Sequence, residues 1–334
     1  MFLSHKAKIL AVFIILISFI YLPIYTSANY LQENKRIITA SAVRVRSNPQ
    51  TTALEITKLS VGTIVKEIAK SERKEKIGQQ EDFWYQVTLS DGKQGWVFGA
   101  FTLAFEPSKQ EQIYVNLLNE RLKAKTSFSD QVDLVNFLDQ AIKEIKTPTI
   151  LAELELGQLL ALRQSIQSIP IDKQDTAQYK PWLKKHDSRI VYNEPAGSWE
   201  VKSDMFWNLQ KKYSSLPIAD KIAWEGAKNT IPGECEGYVP CYIGAIDWTN
   251  AKYLSLYPNG EHSQEALKEI LEELNTFIEE LNKPEPSYTF PNDADSRKDL
   301  QDQLGNVRKT LSKVPTAKTA NIFKQMDLLA AKFR

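Results

Sequence analysis

This 334-residue chain lacks an excess of charge of either sign: Lys and Arg number 42 and Asp and Glu 41, for a formal net charge of +1. A near-neutral balance leaves no electrostatic footprint for nucleic acid, so no nucleic-acid partner is expected. Histidine is scarce as well. Beyond the N-terminal stretch only His186 and His262 remain, which leaves few groups suited to general acid–base work near neutral pH. His186 lies in the charged run Lys184-Lys185-His186-Asp187, the pattern of a solvated face. His262 follows a turn and precedes a helical stretch, so it reads as helping that helix start. No phosphate-cradling glycine-rich loop and no dinucleotide fingerprint occurs, and no cofactor is expected.

Cysteine is limited to two residues, Cys235 and Cys241, within Pro232-Gly233-Glu234-Cys235-Glu236-Gly237-Tyr238-Val239-Pro240-Cys241. In an exported chain a close pair reads as a disulfide. So short a loop gains about 2 kcal/mol in the chain-entropy account. A metal site is the competing reading, with His262 and the flanking glutamates as extra ligands. No second Cys or His pair supports it, so no metal is expected.

One long apolar run is present, at the N-terminus. Met1 to Lys8 is short and basic, Ile9 to Tyr25 is almost wholly apolar, and Thr26-Ser27-Ala28 supplies small residues. That order is the pattern of a secretory signal over residues 1–28. An uncleaved membrane anchor is the alternative, since the run is near the lower length limit of a spanning helix. Membrane contact is expected only through this segment, if it is retained. Loss of Lys6 and Lys8 with it would take the net charge from +1 to −1.

Between Thr39 and Phe105 the apolar residues recur at strand spacing. Val43 and Val45 alternate with Arg44 and Arg46, Ser47-Asn48-Pro49 is turn chemistry, and Leu54 to Leu59 alternates again. Val61 to Ile68 is rich in β-branched residues, Ser71 to Asp82 is polar and reads as a loop, and Phe83 to Leu89 is aromatic and β-branched. Asp91-Gly92 marks a hairpin, and Gln94 to Phe98 is the returning strand. Short strands separated by turns predict a small barrel.

Four landmarks stand in order: Val43-x-Val45-Arg46-x-x-Pro49, Leu59-x-x-Gly62, Trp84-Tyr85-x-Val87 and Gly95-Trp96-Val97-x-Gly99-x-Phe101. The series resembles the bacterial SH3 (SH3b) domain, over about one fifth of the chain. The resemblance implies a five-stranded barrel in an exported envelope protein, binding cell-wall material or another protein. Arg44 departs from it, standing where the family often has asparagine. Trp84, Tyr85, Trp96 and Phe98 are the ligand-binding candidates, as stacking surfaces. Alternation places Trp84 and Gln86 on one face and Tyr85 and Val87 on the other. Trp96 reads as barrel core, whereas Trp84 fits core and surface equally.

From Ser108 the period turns helical. Apolar stripes run through Ile113 to Leu122 and Val132 to Ile145, and Thr147-Pro148 is an N-cap with proline in the first helical position. Residues 170–200 are mixed, with the loop Asn193 to Ser198, and read as a seam. Later helices are predicted over Ala219–Lys228, Tyr242–Leu256 and, as a clean amphipathic stripe, Ala266–Leu281. Ala251 to Leu267 resembles one tetratricopeptide-type helical hairpin, without the 34-residue period of an array. Trp199, Trp207, Trp224 and Trp248 read as core anchors. A groove for an extended partner or sugar chain is the sharper alternative.

The expected fold class is α+β: an SH3-like barrel over residues 37–105, a helical segment over 108–170 and a helical domain over 199–334 that holds the cysteine loop. The expected role is non-catalytic binding or scaffolding in the periplasm or cell envelope, with peptidoglycan or an envelope protein as partner. The alternative is a peptidoglycan hydrolase whose catalytic residues lie in the helical domain. Cys235 with His262, Glu234 with Glu236, and Glu194 with Glu200 are its candidate pairs.

Overall fold

The computed structural model describes residues 34–124, 126–229 and 235–333. The expected leader over residues 1–28 lies outside the described residues. Nine strands come first: β1 Lys35–Ile38, β2 Val43–Arg46, β3 Glu55–Leu59, β4 Ile64–Lys70, β5 Glu75–Ile77, β6 Gln80–Asp82, β7 Trp84–Thr88, β8 Gln94–Phe98 and β9 Thr102–Phe105. Helices follow as α1 Gln110–Lys123, α2 Phe128–Glu144, α3 Pro148–Gln167 and α4 Lys180–Lys185. After the hairpin β10 Ile190–Asn193 and β11 Ser198–Val201 come α5 Ser203–Lys212, α6 Ile218–Ala227, α7 Val239–Ile246 and α8 Lys252–Leu256. The chain ends in α9 Ser263–Glu280, α10 Ala294–Leu311 and α11 Thr316–Ala331. The order is α+β, as the two sequence periods require.

Seven strands form one sheet in the order β3-β2-β8-β7-β4-β1-β9. Ile38, Val43, Val45, Val65, Val87 and Val97 meet in one core, so the sheet curls around the inward row that strand alternation selects. Gly95 makes the closure possible, because a Cβ there would stand 2.4 Å from a Val45 methyl. The sheet exceeds the expected five strands. β1 adds between β4 and β9 through Ile37↔Ile64 and Ile37↔Leu103. The stretch Ser71 to Asp82, expected to be loop, folds back as the β5–β6 hairpin.

The sheet and the first helices share a core. Ile37, Val61 and Phe105 bury with Leu134, Phe137 and Leu138. The Val61 N–H donates to Asp133 Oδ2 at 3.0 Å. Gly62 sits at φ +80°, and a Cβ there would come within 2.0 Å of the Phe137 ring. Glycine is required at this joint on both counts.

The region read as a seam is not a break in the core. Tyr179, Trp182, Leu183, Ile190 and Val201 all bury in the same cluster as α2 and α3. The two helical cores meet instead within α6, with Ile222 in the first and Ala223 and Trp224 in the second. Thr147 precedes α3 as expected but makes no capping bond, because its hydroxyl donates to Glu111 Oε1 at 2.7 Å. Tyr242 to Leu256 is helical but contains a π-helical turn at Asp247–Ala251. The disulfide Cys235–Cys241 forms, with Cα atoms 5.4 Å apart, and closes the turn that opens α7. That turn is tied to the Pro-rich stretch before α10: Val239 N–H donates to Thr289 O and Thr289 N–H to Gly237 O.

Candidate functional site

Trp84 opens β7 and Phe98 closes β8, and the two are register partners with ring centroids 5.5 Å apart. Register partners share a face. Gln86 and Trp96, the next such pair, share it too. Val87 and Val97 point the other way, into the barrel core. Trp84 and Phe98 are nonetheless only 3% exposed each. The β5–β6 hairpin contributes to this cover, as its Glu75 accepts a hydrogen bond from the Trp84 indole N–H. Ser71 adds a second tie by accepting from the Trp84 backbone N–H at 3.0 Å.

Between these parts lies a cavity of about 420 Å³. Trp84, Phe98 and Phe101 form its aromatic side, Ile77 of β5 closes one end, and Arg44 and Arg46 of β2 stand on its wall. The two arginines differ electrically. Arg44 is paired with Glu55 at 3.1 Å. Arg46 donates to the Ala53 carbonyl at 2.7 Å and has no carboxylate partner among the described residues. A carbonyl satisfies a donor but does not cancel a charge, and Glu55, the register partner of Arg46, is held by Arg44 and Lys58, so three cations share this one acid and the wall keeps an excess of positive charge at Arg46. Ala42, also on the wall, holds φ +53°, a left-handed conformation that costs a non-glycine residue about 1 kcal/mol or more. An apolar floor with one unmatched cation suits a flat or apolar group that carries an acid.

The other two candidates are elsewhere. The Tyr85 ring is covered by the Arg36 guanidinium, 3.5 Å from its centroid. Arg36 is itself buried and satisfied by Glu67 and Thr102 at 3.1 and 2.7 Å. Trp96 is half-buried rather than in the barrel core. Its partners across the sheet are Arg46 and Gln86, so it continues the Trp84–Phe98 face beyond the cavity. The cavity therefore unites Trp84 and Phe98 and leaves out Tyr85 and Trp96. Arg46 stands on the cavity wall although it is not among the ligand-binding candidates; its place in the Val43-x-Val45-Arg46-x-x-Pro49 landmark, before a Ser-Asn-Pro turn, is the available signal.

In the helical region Trp224 is buried and stacks on the His262 imidazole at 4.5 Å and 4°. His262 also meets Glu265 at 3.2 Å. Cys235 is bonded to Cys241, so it presents no thiol to His262. Glu200 bonds Asn193, and Glu234 lies outside the described residues. His186 is not on a solvated face: it is 4% exposed and packs on Trp182 at 4.2 Å. Burial, with Arg189 and Lys185 beside it, brings its pKa down to about 4. Trp248 is 63% exposed rather than a core anchor, because the π-helical turn shifts the helical phase around it. Trp199 and Trp207 are half-buried. A cleft of about 890 Å³ beside Cys235 and Tyr242 has none of these tryptophans among its described lining residues. Among the described residues no cluster of His, Cys, Asp and Glu could hold a metal ion, and no helix is long and apolar enough to cross a membrane.

Residues 41–102 match the bacterial SH3 domain family. The match begins at the cavity wall, includes Trp84, Arg46 and Phe98, and ends at the first residue of β9. Strand β1 and helices α1 to α11 lie outside it. No curated protein and no solved structure matches the chain significantly.

Proposed function

We propose that this is a non-catalytic binding or scaffolding protein of the bacterial cell envelope, and that its SH3 barrel holds acid-bearing cell-wall material in the Trp84–Phe98 cavity. The observation that carries this reading is the pairing of a preformed aromatic floor with the unmatched Arg46 guanidinium. Cell-wall stem peptides offer carboxylates next to small apolar groups, which is the complement of such a wall. The disulfide and the bacterial SH3 match support a location outside the cytoplasm. The non-catalytic part is supported by the engagement of Cys235 with Cys241 and of His262 with Trp224.

The test is retention of the full chain on purified peptidoglycan, with and without Arg46→Glu. Wild type should be retained, and the variant should bind about tenfold more weakly, the loss expected for one charge-assisted contact. Failure of wild type to bind, with recovery of a stoichiometric protein from envelope extract, would replace wall material with a protein partner. Release of soluble wall fragments that stops in His262→Ala would contradict the non-catalytic part.

A further inference from the structure

A third cavity, remote in sequence from the barrel, lies where α2, α3 and α5 meet the start of β10. It measures about 350 Å³. Ile142, Leu159, Met205 and Leu209 give it an apolar wall, of which Leu159 and Leu209 are nearly fully buried. Two cations reach it, Lys212 and Arg189. Lys212 is neutralised, because its ammonium meets both oxygens of Glu155 at 2.6 and 2.7 Å. Arg189 is not. Its Nη2–H donates at 2.9 Å to Gln158 Oε1, a neutral amide oxygen, and no carboxylate pairs with it among the described residues. Asp139, whose charge acts on Arg189 without a contact pair, is held by the Gln158 amide and by Lys185 at 3.8 Å. Burial pulls the Arg189 pKa below its ordinary value, with Asp139 opposing only in part.

A guanidinium that is half-buried and unmatched is unfavourable unless something else supplies the charge. Its planar fork has two-point complementarity to a carboxylate. We infer that this cavity is a binding site for a small amphipathic carboxylate, its acid on Arg189 and its apolar part against Leu159, Met205 and Leu209. The cavity size lies in the range of small-molecule sites. The inference stands apart from the barrel reading, since no residue of the cavity lies within 41–102.

Methionine supplies the readout. The chain has three, Met1, Met205 and Met326. Met205 lines the cavity, whereas Met326 is buried in the second helical core and serves as an internal control for folding. The full chain, labelled with ¹³C at the methionine methyls, would be titrated with octanoate and, separately, with octylamine. Octanoate should shift the Met205 methyl and leave Met326 unchanged, and octylamine should not shift Met205. Arg189→Gln should weaken octanoate about tenfold or more while Met326 keeps its native position. An equal response to octylamine, no Met205 shift with octanoate, or unchanged affinity in a folded Arg189→Gln would each overturn the site. The octylamine arm needs no variant, so it decides the matter even if Arg189→Gln does not fold.

Discussion

Trp84 in the barrel and Trp224 in the helical region are almost equally buried, at 3% and 8% exposure, yet they stand in opposite situations. Trp224 stacks on His262, meets Tyr253 at 5.2 Å, and has Lys228 over its ring at 5.3 Å. Trp84 has Phe98 beside it and a cavity next to it whose wall carries an unmatched arginine. Burial by itself therefore does not tell an aromatic enclosed by packing from one that borders a cavity; the groups around each do.

The barrel can be separated from the helices most forcefully at Gly62. Gly62→Ala forces a side chain onto Phe137 at a positive φ, and overpacking plus backbone strain should remove about 3 kcal/mol or more. Denaturant midpoints would show it, and Phe137→Leu in the same chain should restore part of the loss. An additive double variant would contradict the contact.

The helical region is also distinguished by two groups of opposite pH sense. His186 titrates near 4 in the folded chain against an ordinary 6.5, so the unfolded state takes up the proton first. Its contribution is complete above pH 6.5 and is lost as the pH falls toward 4, by about 3 kcal/mol. Glu273 behaves conversely: burial and the neighbouring Glu269 raise its pKa to about 7, so its contribution is complete at low pH and is lost as the pH rises from 4.5 through 7. The two opposing contributions nearly cancel between pH 4 and 7, so urea unfolding of wild type should be nearly flat there from these two groups, rise with pH in Glu273→Gln and fall with pH in His186→Gln. Barrel-ligand affinity should not follow either variant.

Reduction of Cys235–Cys241 should cost about 2 kcal/mol and leave peptidoglycan retention unchanged, since the loop packs at α7 and the stretch before α10. Matched unfolding and retention measurements with and without reductant would check both halves. His262→Ala, which removes the stack on Trp224, should have the smallest effect, about 1 kcal/mol on unfolding.

Much of the architecture was legible because it rests on local periodicity. The alternation of Val43 and Val45 marked β2, Asp91-Gly92 marked the β7–β8 hairpin with Gly92 at φ +81°, and the stripe from Ala266 to Leu281 marked α9. Elements that are short or have no apolar alternation were not legible, even where their partner is the next strand. Glu75-Lys76-Ile77 and Gln80-Glu81-Asp82 have no apolar alternation, yet they pair as strands and a carboxylate among them bonds Trp84. The loop between Asn193 and Ser198 was visible, whereas the four-residue strands β10 and β11 that it joins were too short to show alternation. His186 looked solvated from its charged neighbours, but Trp182 and Leu183 carry α4 into the core beneath it. Of the site, the pair Trp84 and Phe98 was visible as aromatics in strands. That Arg46 lacks a counter-charge depends on which acids the fold brings near, and no spacing rule reports it.

The most direct test compares soluble muropeptide binding by wild type, Arg46→Glu and Trp248→Ala, the last removing the most exposed tryptophan of the helical region. The predicted result is about tenfold weaker binding in Arg46→Glu and wild-type affinity in Trp248→Ala. Equal affinity across all three, or a loss confined to Trp248→Ala, would contradict the assignment of binding to the barrel cavity.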